Sequence, residues 1–117
     1  MRIVTWNVNS INARINHLIK FIKIDNSDIY LLQELKCIND QFPEKEINNL
    51  GYNCYINGQK AWNGVAILSK KKLSIKNKQI PTFNEDIQAR FLETEIEIKK
   101  LIKPIKLFCI YLPNGNP

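Results

Sequence analysis

Ile29-Tyr30-Leu31-Leu32-Gln33-Glu34 is the stretch on which the fold turns. Four apolar residues run together with no polar alternation, which suits a strand covered on both faces. Asp25-Asn26-Ser27, just upstream, is a turn cluster. Before it, Ile11, Ile15, Leu18, Ile19 and Ile22 recur at helical spacing and predict an amphipathic helix over 12–23. Asn9 and Ser10 offer cap chemistry at its start. Arg2 to Asn7, with Ile3, Val4 and Trp6, reads as a first strand.

Downstream, Phe42-Pro43-Glu44 begins a second short helix, with Pro at the first helical position and Glu in the first turn. Gly51 ends it. Tyr52 to Ile56 is a strand, and Asn57-Gly58 is a turn signal. Val65 to Leu68 is another apolar strand. Over 92–98, Leu92, Thr94, Ile96 and Ile98 alternate with Glu93, Glu95 and Glu97, the pattern of a half-exposed strand. Pro104 interrupts, and Ile105 to Tyr111 is the last strand, apolar on both faces. Strands outnumber helices by about six to two, which predicts an α+β layer with helices on one face of a mixed sheet. Residues 113–117, Pro-Asn-Gly-Asn-Pro, read as a loop. A doubly buried strand followed only by a turn is expected of a fragment, or of a chain that needs a partner.

The chain has 117 residues and a mass of 13.7 kDa, room for one small domain, and neither a repeat nor an interdomain linker is visible. Its 44% hydrophobic content supports a packed core. No run approaches the roughly 18 apolar residues that span a bilayer. Met1-Arg2-Ile3-Val4 enters a strand-like run without the features of a secretory signal, so a cytoplasmic protein with no membrane partner is expected. Cys37, Cys54 and Cys109 are widely spaced and odd in number, so free, buried or half-buried thiols are expected rather than a disulfide framework or a zinc site.

The net charge of +6 is unevenly placed. Residues 1–58 carry six basic and six acidic side chains, whereas residues 59–117 carry eleven and five. Lys70, Lys71, Lys72, Lys76 and Lys78 form a run. A basic half can bind a phosphate backbone; from charge alone a solvated hairpin is the favoured reading. With 19 Ile, 15 Asn and 14 Lys, the composition also suggests a coding bias, which discounts lysine as functional evidence.

Polar side chains at the ends of apolar strands are where open sheets build sites. Asn7 and Gln33-Glu34 hold such positions. Glu34 could ligate a hard metal, since Mg²⁺ often takes only one or two protein carboxylates, or it could pair with Lys36. Asn7 could serve a site or form a turn. His17 is the only histidine and is expected on the exposed face of the first helix, so no poised imidazole base is evident. Gly58-Gln59-Lys60-Ala61-Trp62-Asn63-Gly64 could lie along a phosphate backbone, or be a hairpin turn with Trp62 folded onto the core.

Taken together, these segments resemble a known family. Residues 3–14, Ile-Val-Thr-Trp-Asn-Val-Asn-Ser-Ile-Asn-Ala-Arg, and residues 32–36, Leu-Gln-Glu-Leu-Lys, look like the first two motifs of exodeoxyribonuclease III and related AP endonucleases. Phe42-Pro43, Leu50-Gly51-Tyr52, Gly58-Gln59-Lys60, residues 63–69, Gln88-Ala89-Arg90 and residues 111–115 follow in the family's order. The resemblance implies an α+β fold, the N-terminal half of a four-layered α/β sandwich with a mixed, mostly antiparallel sheet and flanking helices. It implies one partial domain over 1–117, truncated at its C-terminal side.

The resemblance also implies Mg²⁺-dependent phosphodiester hydrolysis at abasic sites and 3′ ends of double-stranded DNA, with Mn²⁺ as a substitute ion. Glu34 would be the metal ligand, with Asn7 assisting it, and Tyr111 would lie beside the scissile phosphate. Asn9, Gln59, Lys60, Trp62, Arg90 and Asn114 would contact DNA. The family's Gly-Asp-(Phe or Met)-Asn and Ser-Asp-His motifs are absent, so the chain alone is expected to be inactive. A separate chain carrying the missing half is the implied partner, and the nucleoid the implied location. A non-catalytic DNA-binding module derived from the same fold is the alternative. Two departures stand out. Ala61 takes a position that is often Gly, and Leu35 would set an apolar group beside the metal ligand. Half a sandwich would also leave the inner face of its sheet bare, favouring aggregation.

Overall fold

A computed structural model describes residues 1–80 and 88–113. Strand β1 (Ile3–Asn7) leads into helix α1 (Ile11–Asp25), and strand β2 (Ile29–Gln33) follows. A short 3-10 turn (Asn39–Gln41) and helix α2 (Glu44–Asn48) precede β3 (Asn53–Asn57) and β4 (Val65–Ser69). Then come β5 (Ile75–Asn77), β6 (Phe91–Ile96) and β7 (Ile105–Ile110). Strands β1, β2, β4 and β3 form one mixed sheet in that order, parallel at β1–β2 and antiparallel elsewhere. β5, β6 and β7 form a second, antiparallel sheet.

The double-sided apolar run of β2 is explained by what covers it. Tyr30 and Leu32, with Ala66 and Leu68 of β4, face the helices in a cluster that includes Leu18, Ile22 and Ile47. Ile29 and Leu31, with Val65 and Ile67, face Leu92, Ile96 and Cys109 of the second sheet. Each large side chain so buried contributes roughly 1.5–3 kcal/mol. Ser10 caps α1, its Oγ accepting from Ala13 N, and Asn26 closes the helix in the left-handed region at φ 53°. His17 is exposed on α1. Among the described residues no helix is long and apolar enough to cross a membrane.

Four expectations need correction. The inner face of the first sheet is not bare, because the second sheet covers β2 and β4; what stays uncovered is β1, at the edge. The last strand is not buried on both faces: Phe108 and Ile110 point outward and are 41% and 43% exposed. Asn57-Gly58 is not a two-residue turn, since β3 and β4 are joined by residues 58–64. Gly58 serves close approach instead, as a Cβ there would lie 2.5 Å from the Cys37 carbonyl oxygen. Finally, Lys70–Lys72 follow Ser69, which pairs with Ile29 at the opposite end of the sheet from Gln33 and Glu34. That part of the lysine run lies away from the candidate site.

Asp25 knits the far end of the first sheet. The Ser27 hydroxyl, the Tyr30 hydroxyl and the Arg2 guanidinium hold its carboxyl below the ordinary range. A depressed folded-state pKa contributes stability that is present above the unfolded value and lost as pH falls through the folded one. Unfolding midpoints should therefore drop as pH falls below about 4. In Asp25→Asn the neutral-pH midpoint should be lower and the acid decline shallower, as read by urea denaturation across pH. An equally steep decline in the variant would contradict this role.

The three thiols are free. Burial pushes Cys109 up to about 11 and Cys54 up to about 12, and it raises Cys37 as well. In the native chain at pH 8, thiol-reactive dye should label slowly, with all three reacting at once on denaturation. Fast stoichiometric labelling of the native chain would show the burial to be wrong.

Candidate active site

β1 and β2 end side by side, with Asn7 opposite Gln33. Each then turns sharply through residues in the left-handed region: Asn9 (φ 44°) and Ser10 (φ 80°) after β1, Glu34 (φ 55°) and Lys36 (φ 58°) after β2. Such residues are uncommon and persist where surrounding contacts over-determine them. Those contacts are here. Val8 N donates to Gln33 O at 2.9 Å, Ser10 N to Glu34 O at 2.9 Å and Ile11 N to Leu35 O at 3.1 Å.

The 58–64 loop braces the same turn. Leu35 N donates to Gly64 O at 3.1 Å and Lys36 N to Asn63 O at 3.0 Å. Gly64 N in turn donates to Ala89 O at 2.8 Å, and Tyr111 N to Arg90 O at 2.9 Å. The backbone thus gathers residues from five separate stretches at one end of the sandwich. Asn7 and Asn9, Glu34, and Tyr111, from three separate parts of the sequence, are brought together.

Side chains complete the cluster. Asn7 Oδ1 accepts from Asn9 N at 3.1 Å, so Asn7 forms a turn as well as occupying the site. Lys36 Nζ donates to Asn9 Oδ1 at 2.6 Å and stands 3.9 Å from Glu34 Oε1. Burial raises the Tyr111 phenol above its ordinary pKa, with the adjacent Glu34 carboxylate adding to the effect. Tyr111 therefore remains a neutral donor at physiological pH. Leu35 does not sit beside the carboxylate; it is fully buried in the helix-side core and packs on Gly64.

The loop residues divide into two roles. Gln59 is turned inward: its Oε1 accepts from Ala89 N at 2.9 Å and from Asn63 Nδ2 at 3.2 Å. It is a strut of the loop. Lys60 is exposed, and Trp62 is 70% exposed rather than folded onto the core. Arg90 is half-buried in the chain that leads to β6. Asn114 lies outside the described residues.

The sequence marks Lys36 only as a counter-ion for Glu34 and does not single out Asn63 as a strut. A polar residue two positions past a strand-end carboxylate was the available signal for Lys36. Asn63 carried a weaker one, an Asn immediately before a Gly.

The donor set bears on a metal. Among the described residues no group of three or more His, Cys, Asp and Glu could hold an ion. A single strand-end carboxylate with a neighbouring amide oxygen fits a hard ion that keeps water and substrate phosphate as its other ligands. Glu34 and Asn7 are the residues that would hold it.

The two-sheet fold with helices outside matches known proteins. The chain matches the endonuclease/exonuclease/phosphatase family over residues 4–106. It belongs to that family. Within it, exodeoxyribonuclease III of Haemophilus influenzae is 35% identical over 97 residues, which cover 83% of this chain and 36% of that protein. A 3′ phosphatase from Neisseria, solved bound to a product DNA hairpin, superposes with a TM-score of 0.74 at 35% identity, covering 78% of this chain and 36% of that one. An AP endonuclease from Archaeoglobus fulgidus superposes with a TM-score of 0.71 at 31% identity, covering 78% and 35%. This member of the endonuclease/exonuclease/phosphatase family thus spans about a third of the length of the relatives it matches.

Proposed function

We propose that this chain carries the metal- and DNA-binding end of an exodeoxyribonuclease III-type repair nuclease. The reaction would be Mg²⁺-dependent hydrolysis of phosphodiester bonds in duplex DNA at abasic sites and 3′ ends, with Mn²⁺ able to substitute. The convergence of Glu34, Asn7 and Tyr111 at one strand end carries this reading. A divalent ion held there would stabilise negative charge on the transferring phosphoryl oxygens.

The chain's own groups would do the rest of the binding. Glu34 supplies the anionic ligand and Asn7 an amide oxygen. Tyr111, kept protonated, is suited to donate a hydrogen bond to a phosphate oxygen. Lys36 holds Asn9 and neutralises Glu34 in the free chain. Lys60 and Arg90 suit backbone phosphates, and Trp62 offers a stacking face for a base or an abasic gap. Asn9 would contact DNA beside them, Gln59 would act through the loop it braces, and Asn114 would add a contact.

Glu34, Asn7 and Tyr111 themselves supply no general base. His17 sits mid-helix on α1, lining a groove with Trp6 and Phe21 rather than standing at the strand ends. We place the base on a complementary polypeptide and the whole assembly at the nucleoid. Incision of an abasic-site duplex by the purified 117-residue chain should stay at background with Mg²⁺ present. Robust Mg²⁺-dependent nicking, lost in Glu34→Gln, would show the base to be within this chain and overturn the half-site reading.

A further inference from the structure

We infer that the connection between β6 and β7, residues 97–104, is the tip of a surface that seats this chain on an anionic lipid membrane. That role is separate from the nuclease reading and does not depend on it.

The connection projects from the end of the sandwich opposite the candidate site. Ile96 pairs with Ile105 at its base, whereas Phe91 pairs with Ile110 at the other end of the two strands, where Tyr111 N meets Arg90 O. A strand of this length separates the two ends by roughly 17–20 Å. DNA at one end and a membrane at the other would not compete for the same surface.

The apolar residues of the connection divide into two kinds. Ile98 is half-buried against the core between the sheets, and its carbonyl accepts from Leu101 N at 2.9 Å, which closes a turn. Leu101 is 50% exposed and Ile102 beside it is fully exposed. One aliphatic side chain therefore anchors the connection inward while an adjacent pair projects into water. Single exposed aliphatic residues are ordinary, but a projecting pair set among cations is the composition of an interfacial anchor.

Lysines surround the pair. Lys99, Lys100 and Lys103 flank it in sequence and are exposed. A groove of about 500 Å³ lies between the connection and Lys71, which follows β4. A second groove, of about 320 Å³, shares Lys71 and adds Lys72 and Lys76. Glu97 borders both grooves and Glu95 the second, so the six lysines outnumber the carboxylates among them. Lysine is common throughout this chain, and charge alone would not mark a site; the aliphatic pair at the centre does.

The side-chain types favour lipid over other anions. A phosphate backbone would engage the lysines and leave Leu101 and Ile102 in water. A base would stack on an aromatic ring, and residues 97–104 include none. Carboxylates of an acidic protein are best gripped by the fork of an arginine, and every cation at this end is a lysine. An anionic bilayer draws in clustered lysines and buries short apolar anchors below its headgroups. This revises the expectation, drawn from the lack of a spanning run, that the chain has no membrane partner: lying on a bilayer requires no such run.

Flotation of the chain with vesicles of phosphatidylcholine, with and without phosphatidylglycerol, tests the proposal. Binding at least about tenfold tighter to the anionic vesicles is expected, and it should fall as added salt screens the lysines. Leu101→Ser combined with Ile102→Ser should weaken it about tenfold or more through lost apolar burial. Lys99→Glu combined with Lys103→Glu should weaken it by a similar factor of about ten through lost charge. All four side chains are exposed, so the circular dichroism of the chain should not change. In Ile102→Trp, bromine-bearing lipid should quench fluorescence beyond what it quenches in the unsubstituted chain. No preference for the anionic vesicles, or an Ile102→Trp indole that bound vesicles leave unquenched, would overturn the proposal. So would binding indifferent to the loss of Leu101 and Ile102, which would leave only a general attraction of lysines to polyanions.

Discussion

Gly64→Ala is expected to destabilise the chain by about 3 kcal/mol, about twice the effect of Gly51→Ala, although the two glycines have nearly the same backbone angle. Gly51 has φ 93°, and a methyl there would meet nothing within 4 Å, whereas Gly64 has φ 92°, and a methyl there would stand only 2.8 Å from Leu35 Cβ. The left-handed conformation alone costs an L-residue roughly 1–2 kcal/mol, which both variants share. Forcing a methyl into the packed contact with Leu35 adds roughly 1–3 kcal/mol at Gly64 alone.

The consequence reaches the site. Leu35 N donates to Gly64 O, and Leu35 directly follows Glu34, whose own φ is 55°. Pushing Leu35 away should loosen the turn that aims the Glu34 carboxylate. Urea denaturation of the two variants measures the difference, and equal midpoints would mean that the loop yields without disturbing Leu35.

Trp62→Ala is expected to weaken binding to abasic-site duplex by about 10-fold or more, with stability unchanged. The indole is 70% exposed, so its removal uncovers little core. Stacking of an aromatic on a base is worth roughly 1–3 kcal/mol. Lys60→Ala should act differently, lowering the slope of log affinity against log salt by about one, as loss of a single phosphate contact does. Gln59→Ala should lower both stability and affinity, because Ala89 N and Asn63 Nδ2 would lose their acceptor. Fluorescence anisotropy at several salt concentrations separates the three. Unchanged affinity in Trp62→Ala would remove the loop from the DNA interface.

Much of this was legible in the sequence because it is local or two-sided. Ile29 to Leu32 can be apolar throughout only if both faces are covered, and the two clusters that meet at β2 do cover them. The spacing of Ile11, Leu18 and Ile22 placed α1. Glu34 stood out as a carboxylate at the end of a buried run. Less visible were features set by long-range approach. Asn57-Gly58 looked like a turn because the pair favours one, but Gly58 is needed where Cys37 comes within 2.5 Å of its missing Cβ. β5, only three residues with one apolar side chain, has no periodicity to detect. The inward turn of Gln59 depends on Ala89, thirty positions away. Lys70–Lys72 counted towards a basic half in sequence, yet strand direction carries them to the end opposite Glu34.

The central claim is that Glu34 and Asn7, with Tyr111 beside them, form one divalent-metal site. Titrating Mn²⁺ into the ¹⁵N-labelled chain and following paramagnetic broadening tests it most directly. Broadening should begin at the amides around Asn7, Glu34 and Tyr111 and should vanish in Glu34→Gln. Broadening centred elsewhere, such as on Asp25 and Asp28 or on Glu95 and Glu97, or broadening that survives Glu34→Gln, would contradict the account.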